Sequence, residues 1–215
     1  MEQSNKHEII INRIIEHYPT PKLDLDYKNA FELLIALMLS ARCTDKLTNK
    51  ITKELFHKFK APEDFIKAGI DRINKEISSC SMHNTKAKRI FEVCKILTEK
   101  YSSTVPNNLE ELLKLPGVAR KTANILLSFA FGIPAIGVDT HVRRVSNRLG
   151  ISSSEKADKI EEDIKKICPK KEWIRFYSGL TLFGRYICRS KNPKCTECFL
   201  NDICQYYKKE HESQN

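Results

Sequence analysis

Phe31-Glu-Leu-Leu-Ile-Ala-Leu-Met-Leu-Ser40 is nearly continuous in apolar residues. The run is too long for a typical strand and holds no turn residue, so it reads as a buried central helix. Working outward, Met1 to Tyr18 reads as an amphipathic helix with Ile9, Ile10, Ile14 and Ile15 on one side. Thr44 and Asp45 offer caps for a helix carrying Leu47, Ile51, Leu55 and Phe59 at the spacing of one face. Pro62 opens a short helix. Asn84 or Thr85 caps another, with Ala87, Ile90, Phe91, Cys94 and Leu97 toward the core. Leu109 to Leu115 is a short helix stopped by Pro116-Gly117, and the next runs from about Ala119 to Phe131. Asp139 to Leu149 is helical, with Gly150 as its C-terminal stop. Two more helices lie near Ser154–Cys168 and Lys171–Ile187. No alternating strand pattern competes, and no repeat of solenoid length appears. The expectation is an all-α protein with short connections, with Pro134 and the Gly137 region as candidate domain boundaries.

The 215 residues suffice for one large domain or two small ones. Seven glycines and eight prolines exclude a low-complexity chain. The formal net charge of +10 fits a polyanionic partner, because each cation that meets a phosphate releases a condensed counterion. It equally fits a lysine-rich protein whose charge serves solubility. The start lacks the unbroken apolar run of a secretory signal. No stretch approaches the roughly 20 apolar residues of a membrane span, so the chain is expected to be soluble and intracellular, without a membrane partner.

Eight cysteines in such a setting argue against a disulfide framework. Cys43, Cys80, Cys94 and Cys168 are scattered and read as small buried or partly buried side chains. The other four form Cys188-x6-Cys195-x2-Cys198-x5-Cys204. Thiolates this close in sequence can converge on one metal centre. Structural zinc usually takes two close pairs across a longer insert, whereas here one close pair is flanked by single cysteines. That favours an iron–sulfur cubane, with zinc as the alternative. Arg185, Arg189, Lys191 and Lys194 surround the thiols, placed to offset thiolate charge or to meet phosphates.

Leu115-Pro-Gly-Val-Ala-Arg-Lys-Thr-Ala-Asn124 joins two helices through a tight turn. Such a turn leaves amide groups free at the start of the second helix, a natural phosphate seat. Gly117 lets the backbone come close and take positive φ. Lys121 falls in the first turn of the second helix, where the helix dipole disfavours an ammonium. A neutral amine is what a Schiff-base nucleophile needs, though a lysine there also serves as a phosphate contact. Asp139 begins Val138-Asp-Thr-His-Val-Arg-Arg144. It reads as an N-cap, or as a carboxylate facing a cationic sugar in a transition state. His141 reads as a packing residue or a proton carrier.

Together and in this order, these features resemble the endonuclease III family of the helix–hairpin–helix glycosylase superfamily. The resemblance covers almost the whole chain. It runs through Phe31-Glu-Leu-Leu-Ile-Ala36, Leu39-Ser-Ala41, Thr44-Asp45, Asn84, Lys86-Ala87, Leu115-Pro-Gly-Val118, Arg120-Lys-Thr-Ala-Asn124, Val138-Asp-Thr-His141, Gly184-Arg-Tyr186 and the tail cysteines. It implies two helical domains with a DNA cleft between them. One is a six-helix barrel over residues 23–133, with the helix–hairpin–helix near 109–131. The other is a smaller cluster domain of residues 1–22 with 134–215, holding a [4Fe-4S] cluster on Cys188, Cys195, Cys198 and Cys204 in the loop 188–204. The cluster shapes a basic DNA-binding loop that includes Arg189, Lys191 and Lys194. Gly117, Val118, Ala119 and Arg120 of the hairpin are implied DNA contacts.

The resemblance also implies base-excision repair by a glycosylase with abasic-site lyase activity. Lys121 attacks C1′ of a flipped nucleotide, Asp139 stabilises the developing positive charge, and β-elimination cuts 3′ to the site. Expected substrates are oxidised pyrimidines such as thymine glycol, and abasic sites, in damaged double-stranded DNA. The implied enzyme is a monomer without an obligate protein partner, cytoplasmic and nucleoid-associated.

The chain departs from the family pattern at a few positions. Ala119 stands where many members have a second glycine, harmless if the backbone there is helical. Arg42 replaces the usual glutamine expected to fill the gap left by the flipped base, and an arginine would favour an acceptor-rich opposite base such as guanine. Met82 replaces a leucine-like wedge, followed by His83. Two rival readings are a monofunctional adenine–mismatch glycosylase and a non-enzymatic DNA-binding module. The presence of Lys121 argues against the first, and of Lys121 with Asp139 against the second.

Overall fold

Every described element is helical: the computed structural model describes residues 2–212 and contains no strand among them. The chain divides into two compact units. One is the continuous stretch Leu23–Ile133, and the other joins the chain before it to the chain after it.

The continuous unit holds six helices: α2 (Ala30–Ser40), α3 (Asp45–Lys58), α4 (Pro62–Glu76), α5 (His83–Tyr101), α6 (Leu109–Leu113) and α7 (Arg120–Phe131). Asn29 caps α2 by accepting from the Glu32 amide at 2.9 Å. From Phe31 to Leu39 every residue but Glu32 is buried, which explains a helix apolar on all sides. It packs on α3, α5 and α7, while α4 packs chiefly on α5. Phe31, Phe59 and Phe65 meet ring to ring at the centre.

Several boundaries differ from expectation. The helix opened by Pro62 is not short: it resumes beyond a kink at Gly69, where φ is 76°. Neither Asn84 nor Thr85 caps α5. It starts at His83, after Met82 turns the chain in the left-handed region with φ 58°. The side chain of Asn84 instead bonds to Asn74 at 2.7 Å. The hairpin's first helix ends at Leu113 rather than Leu115.

Lys86 is buried, although lysines rarely are. It is only 6% exposed. Its ammonium donates to the Leu39 carbonyl at 2.8 Å, the Ala41 carbonyl at 2.6 Å and the Cys80 sulfur at 3.0 Å. Three donors thus meet three acceptors and fix the end of α2 against the turn before α5. Lys86→Met takes the donor from the buried Leu39 carbonyl, the Ala41 carbonyl and the Cys80 sulfur together, so the unfolding free energy should fall by about 2–4 kcal/mol. Urea titration checks this, and an unshifted midpoint would show the clamp to be idle.

The discontinuous unit holds α1 (Glu2–His17), α8 (Thr140–Leu149), α9 (Ala157–Ile167), α10 (Trp173–Tyr186) and α11 (Gln205–Glu212). A short 3-10 turn at Lys170–Glu172 precedes α10. The expected helices near Ser154 and Lys171 therefore start a little later. Helix α11 had no counterpart in the sequence reading. Helix α10 is the unit's spine, packed against α8 and α1. Ile10 and Ile14 of α1 are fully buried. Arg13 donates to the Phe199 carbonyl at 3.1 Å and to Asp202 at 2.7 Å, tying α1 to the cysteine loop. His17 stacks on Phe199, and Phe183 meets the same ring from α10. No described helix is long and apolar enough to cross a membrane.

Candidate active site and cysteine loop

The hairpin is built from capping and one glycine. Asn108 opens α6 by accepting from the Glu111 amide at 2.9 Å. Val118 donates to the Leu115 carbonyl at 3.1 Å and closes the turn. Gly117 adopts φ 84°, and a Cβ there would lie 2.9 Å from Cδ of Arg89. The left-handed backbone is what calls for glycine at this point, since the Arg89 side chain could move aside. Leu115 and Val118 are buried and anchor the turn, whereas Gly117, Ala119, Arg120 and Lys121 are exposed.

Ala119 is the N-cap of α7, with φ −87° and ψ 166°. This backbone is extended, not helical, so the stated condition for tolerating alanine is not met. Alanine fits because φ is negative, which any L-residue adopts. It supplies no side-chain cap. Lys121 is the second residue of α7, in the turn where amides lack intrahelical acceptors.

Arg42 and Met82 both sit in left-handed backbone with φ 58°. Met82 is half exposed. Ser81 donates its hydroxyl to the Arg42 carbonyl at 2.8 Å, which joins the two turns. A cavity of about 280 Å³ brings Arg42, Met82 and Gly117 onto one lining with Lys86, Arg89 and Thr122. Arg89 and Thr122 had no role in the sequence reading; Arg89 lies one turn from Lys86 on a face that looks merely solvated.

In the other unit, Asp139 is the N-cap of α8. Its Oδ1 accepts from the amides of His141 and Val142, both at 2.8 Å. His141 Nδ1 lies 3.2 Å from an Arg144 nitrogen, and arginine only donates, so this ring nitrogen accepts. Burial, with the nearby Arg144 and Arg185 charges, holds the imidazole below its usual range while Asp139 pulls the other way. His141 is therefore a neutral hydrogen-bonding residue at neutral pH. Lys121 belongs to one unit and Asp139 to the other.

Arg144 and Arg148, one turn apart on α8, hold the cysteine loop. Arg144 donates to the carbonyls of Cys188 at 3.0 Å and Gly184 at 2.7 Å. Arg148 donates to the carbonyls of Arg189 at 2.7 Å and Ser190 at 3.3 Å, and lies 3.5 Å from the Cys188 sulfur. Its guanidinium covers the Tyr206 ring of α11 at 4.3 Å. Arg189, Lys191 and Lys194 are exposed around this loop.

Cys188, Cys195, Cys198 and Cys204 line one cavity. Four thiols facing one space are the donor set that an iron–sulfur cubane takes, one thiolate to each iron. The Leu200 amide donates to the Cys198 sulfur at 3.4 Å, the kind of contact that stabilises thiolate. Burial pushes the Cys198 thiol up to about 11, with the neighbouring thiols adding to it. Four adjacent thiolates thus need a strong positive centre, which an iron–sulfur core supplies.

Comparison with known proteins agrees with this donor set. A family model described as HhH-GPD superfamily base excision DNA repair protein matches residues 35–170. A second, the iron-sulfur binding domain of endonuclease III, matches residues 188–204. Endonuclease III of Bacillus subtilis (strain 168) is 42% identical over 199 residues, covering 92% of this chain and 91% of that protein. A solved structure of a trapped endonuclease III–DNA covalent intermediate superimposes with a TM-score of 0.92 at 41% identity, covering 97% and 98% of the two chains. A thermostable thymine-DNA glycosylase gives 0.88 at 28% identity, covering 97% and 100%.

Proposed function

The chain belongs to the endonuclease III family of the HhH-GPD superfamily, and from that membership we propose that it excises oxidised pyrimidines from double-stranded DNA and cuts 3′ to the abasic site. The observation that carries the chemistry is Lys121 itself, an exposed amine in the open first turn of the hairpin's second helix.

The damaged nucleotide leaves the stack, at least cost when the lesion already stacks poorly. Amides at the start of α7, with exposed Arg120, receive a phosphate and set the register. The amine of Lys121 attacks C1′ and displaces the base. Asp139 lends negative charge to the sugar as its bond to the base breaks. The attached nitrogen loses its proton as the ring C1′–O4′ bond opens, giving an imine. Loss of the C2′ proton then expels the 3′ phosphate oxygen, and hydrolysis of the imine frees Lys121.

Arg42 and Met82 fill and wedge the opened stack. Arg189, Lys191 and Lys194 meet the backbone. Cys188, Cys195, Cys198 and Cys204 hold the [4Fe-4S] cluster, which serves as a structural core for the basic loop. The place of action is the cytoplasm, on nucleoid DNA.

Iron-loaded protein should nick a thymine-glycol duplex and an abasic duplex, leaving the 3′ end of a β-elimination. Intact duplexes after prolonged incubation would refute the activity. The protein should be brown, with about four irons per chain. Cys198→Ser should lower bound iron, and full iron content in that variant would refute the ligand assignment.

A further inference from the structure

The two turns that carry Arg42 and Met82 also carry a pair of thiols. Cys43 and Cys80, far apart in sequence, place their sulfurs 3.2 Å apart. Cys43 is partly exposed, and Cys80 is only 2% exposed. The Cys80 sulfur lies 3.4 Å from the Leu39 carbonyl and receives a hydrogen bond from Lys86 at 3.0 Å. Cys43 is therefore the more solvent-accessible residue of the pair, and Cys80 is the buried one, beside a cation.

We propose that Cys43 and Cys80 are a modification site: a dithiol that low-molecular-weight disulfides convert to an intramolecular disulfide, slowing DNA cleavage until a thiol reopens it. The first step is attack by the Cys43 thiolate on one sulfur of glutathione disulfide. A mixed disulfide forms on Cys43, and one glutathione thiolate leaves. The Cys80 thiolate then attacks the Cys43 sulfur and expels the second glutathione thiolate. Both cysteine protons end on the two released glutathiones, and the two electrons lost by the cysteines reduce the added disulfide. Burial pushes the Cys80 thiol up while Lys86 pulls it down. The more accessible Cys43 therefore opens the sequence and the buried Cys80 closes it.

A disulfide holds its sulfurs about 2.05 Å apart, so the bond draws these two by roughly an ångström. The pull falls on backbone already joined by the Ser81–Arg42 hydrogen bond and by the Lys86 clamp. It also takes from Lys86 its best sulfur acceptor. The effect on cleavage rests on the function proposed above, which places Arg42 and Met82 in the opened DNA. Displacement of positioning groups by this distance is expected to slow cleavage at least about tenfold.

The test treats iron-loaded protein with glutathione disulfide. Peptide mapping without reductant should join the Cys43 peptide to the Cys80 peptide, with no DNA involved in the measurement. Cleavage of an abasic duplex should fall by the stated factor and return on adding dithiothreitol. Cys43→Ala should cleave like the reduced protein with or without the oxidant, which separates this effect from damage to the iron centre. A mixed disulfide that never resolves, links to other cysteines, or unchanged cleavage after a mapped Cys43–Cys80 link would each overturn the proposal. If reduced protein cleaves no DNA, the proposed function falls, and the peptide map still decides the disulfide.

Discussion

Lys121→Ala abolishes borohydride trapping on abasic DNA and lowers strand cleavage at least about 10³-fold, about 4 kcal/mol in transition-state stabilisation. The fold should be untouched. Lys121 is exposed, so no core volume is lost. Alanine is also the better helix former at that position. Binding to an abasic duplex should weaken only severalfold, because one cation among the many on this basic surface is removed. Trapping measured beside binding separates the two roles that a lysine in this turn could fill. Trapping at wild-type level would mean that another amine forms the imine. Equal losses in binding and trapping would make Lys121 a phosphate contact.

The second large effect belongs to Asp139. Its Oδ1 takes two backbone amides, so part of its duty is to start α8. Asparagine retains a side-chain oxygen for that duty and is as good a cap. Asp139→Asn therefore removes the charge and keeps the helix start. Base release should slow by about 10²–10³-fold, the range seen when one electrostatic stabiliser of a transition state is removed. Asp139→Ala should show a similar slowing and lose about 1 kcal/mol of stability as well. Single-turnover excision and thermal melting, run on both variants, read the two effects apart. Wild-type base release by Asp139→Asn would leave Asp139 as a cap and nothing more.

The sequence was most legible where one physical cause acts alone. A helix buried on every side must be apolar on every side, and α2 is. Gly150, placed after a periodic run, does end α8. The hairpin was legible because a proline and a glycine punctuate two amphipathic stretches. It was less legible where local and distant causes compete. Asn84 and Thr85 look like caps, yet the turn through Met82 starts α5 earlier, and Asn84 serves Asn74 instead. Gly69 would ordinarily end a helix, yet α4 resumes beyond it against α5. Helix α11 is polar along its length and is secured by Tyr206 beneath Arg148, a contact that spacing within α11 does not announce. The Lys86 clamp and the Cys43–Cys80 pair depend on turns being brought together from distant positions. In sequence they look like one more surface lysine and two stray thiols.

The threading of the chain through its two units has a consequence for synthesis. The stretch Leu23–Ile133 is uninterrupted, so it is complete on a nascent chain while α8 to α10 are still unmade. Helix α1 emerges before all of them, yet its partners are α9 and α10. Until those helices leave the ribosome, the face bearing Ile10 and Ile14 has no native surface to cover it. Vectorial production therefore leaves an apolar segment waiting through most of translation, the interval in which chaperones intercept exposed hydrophobic chain.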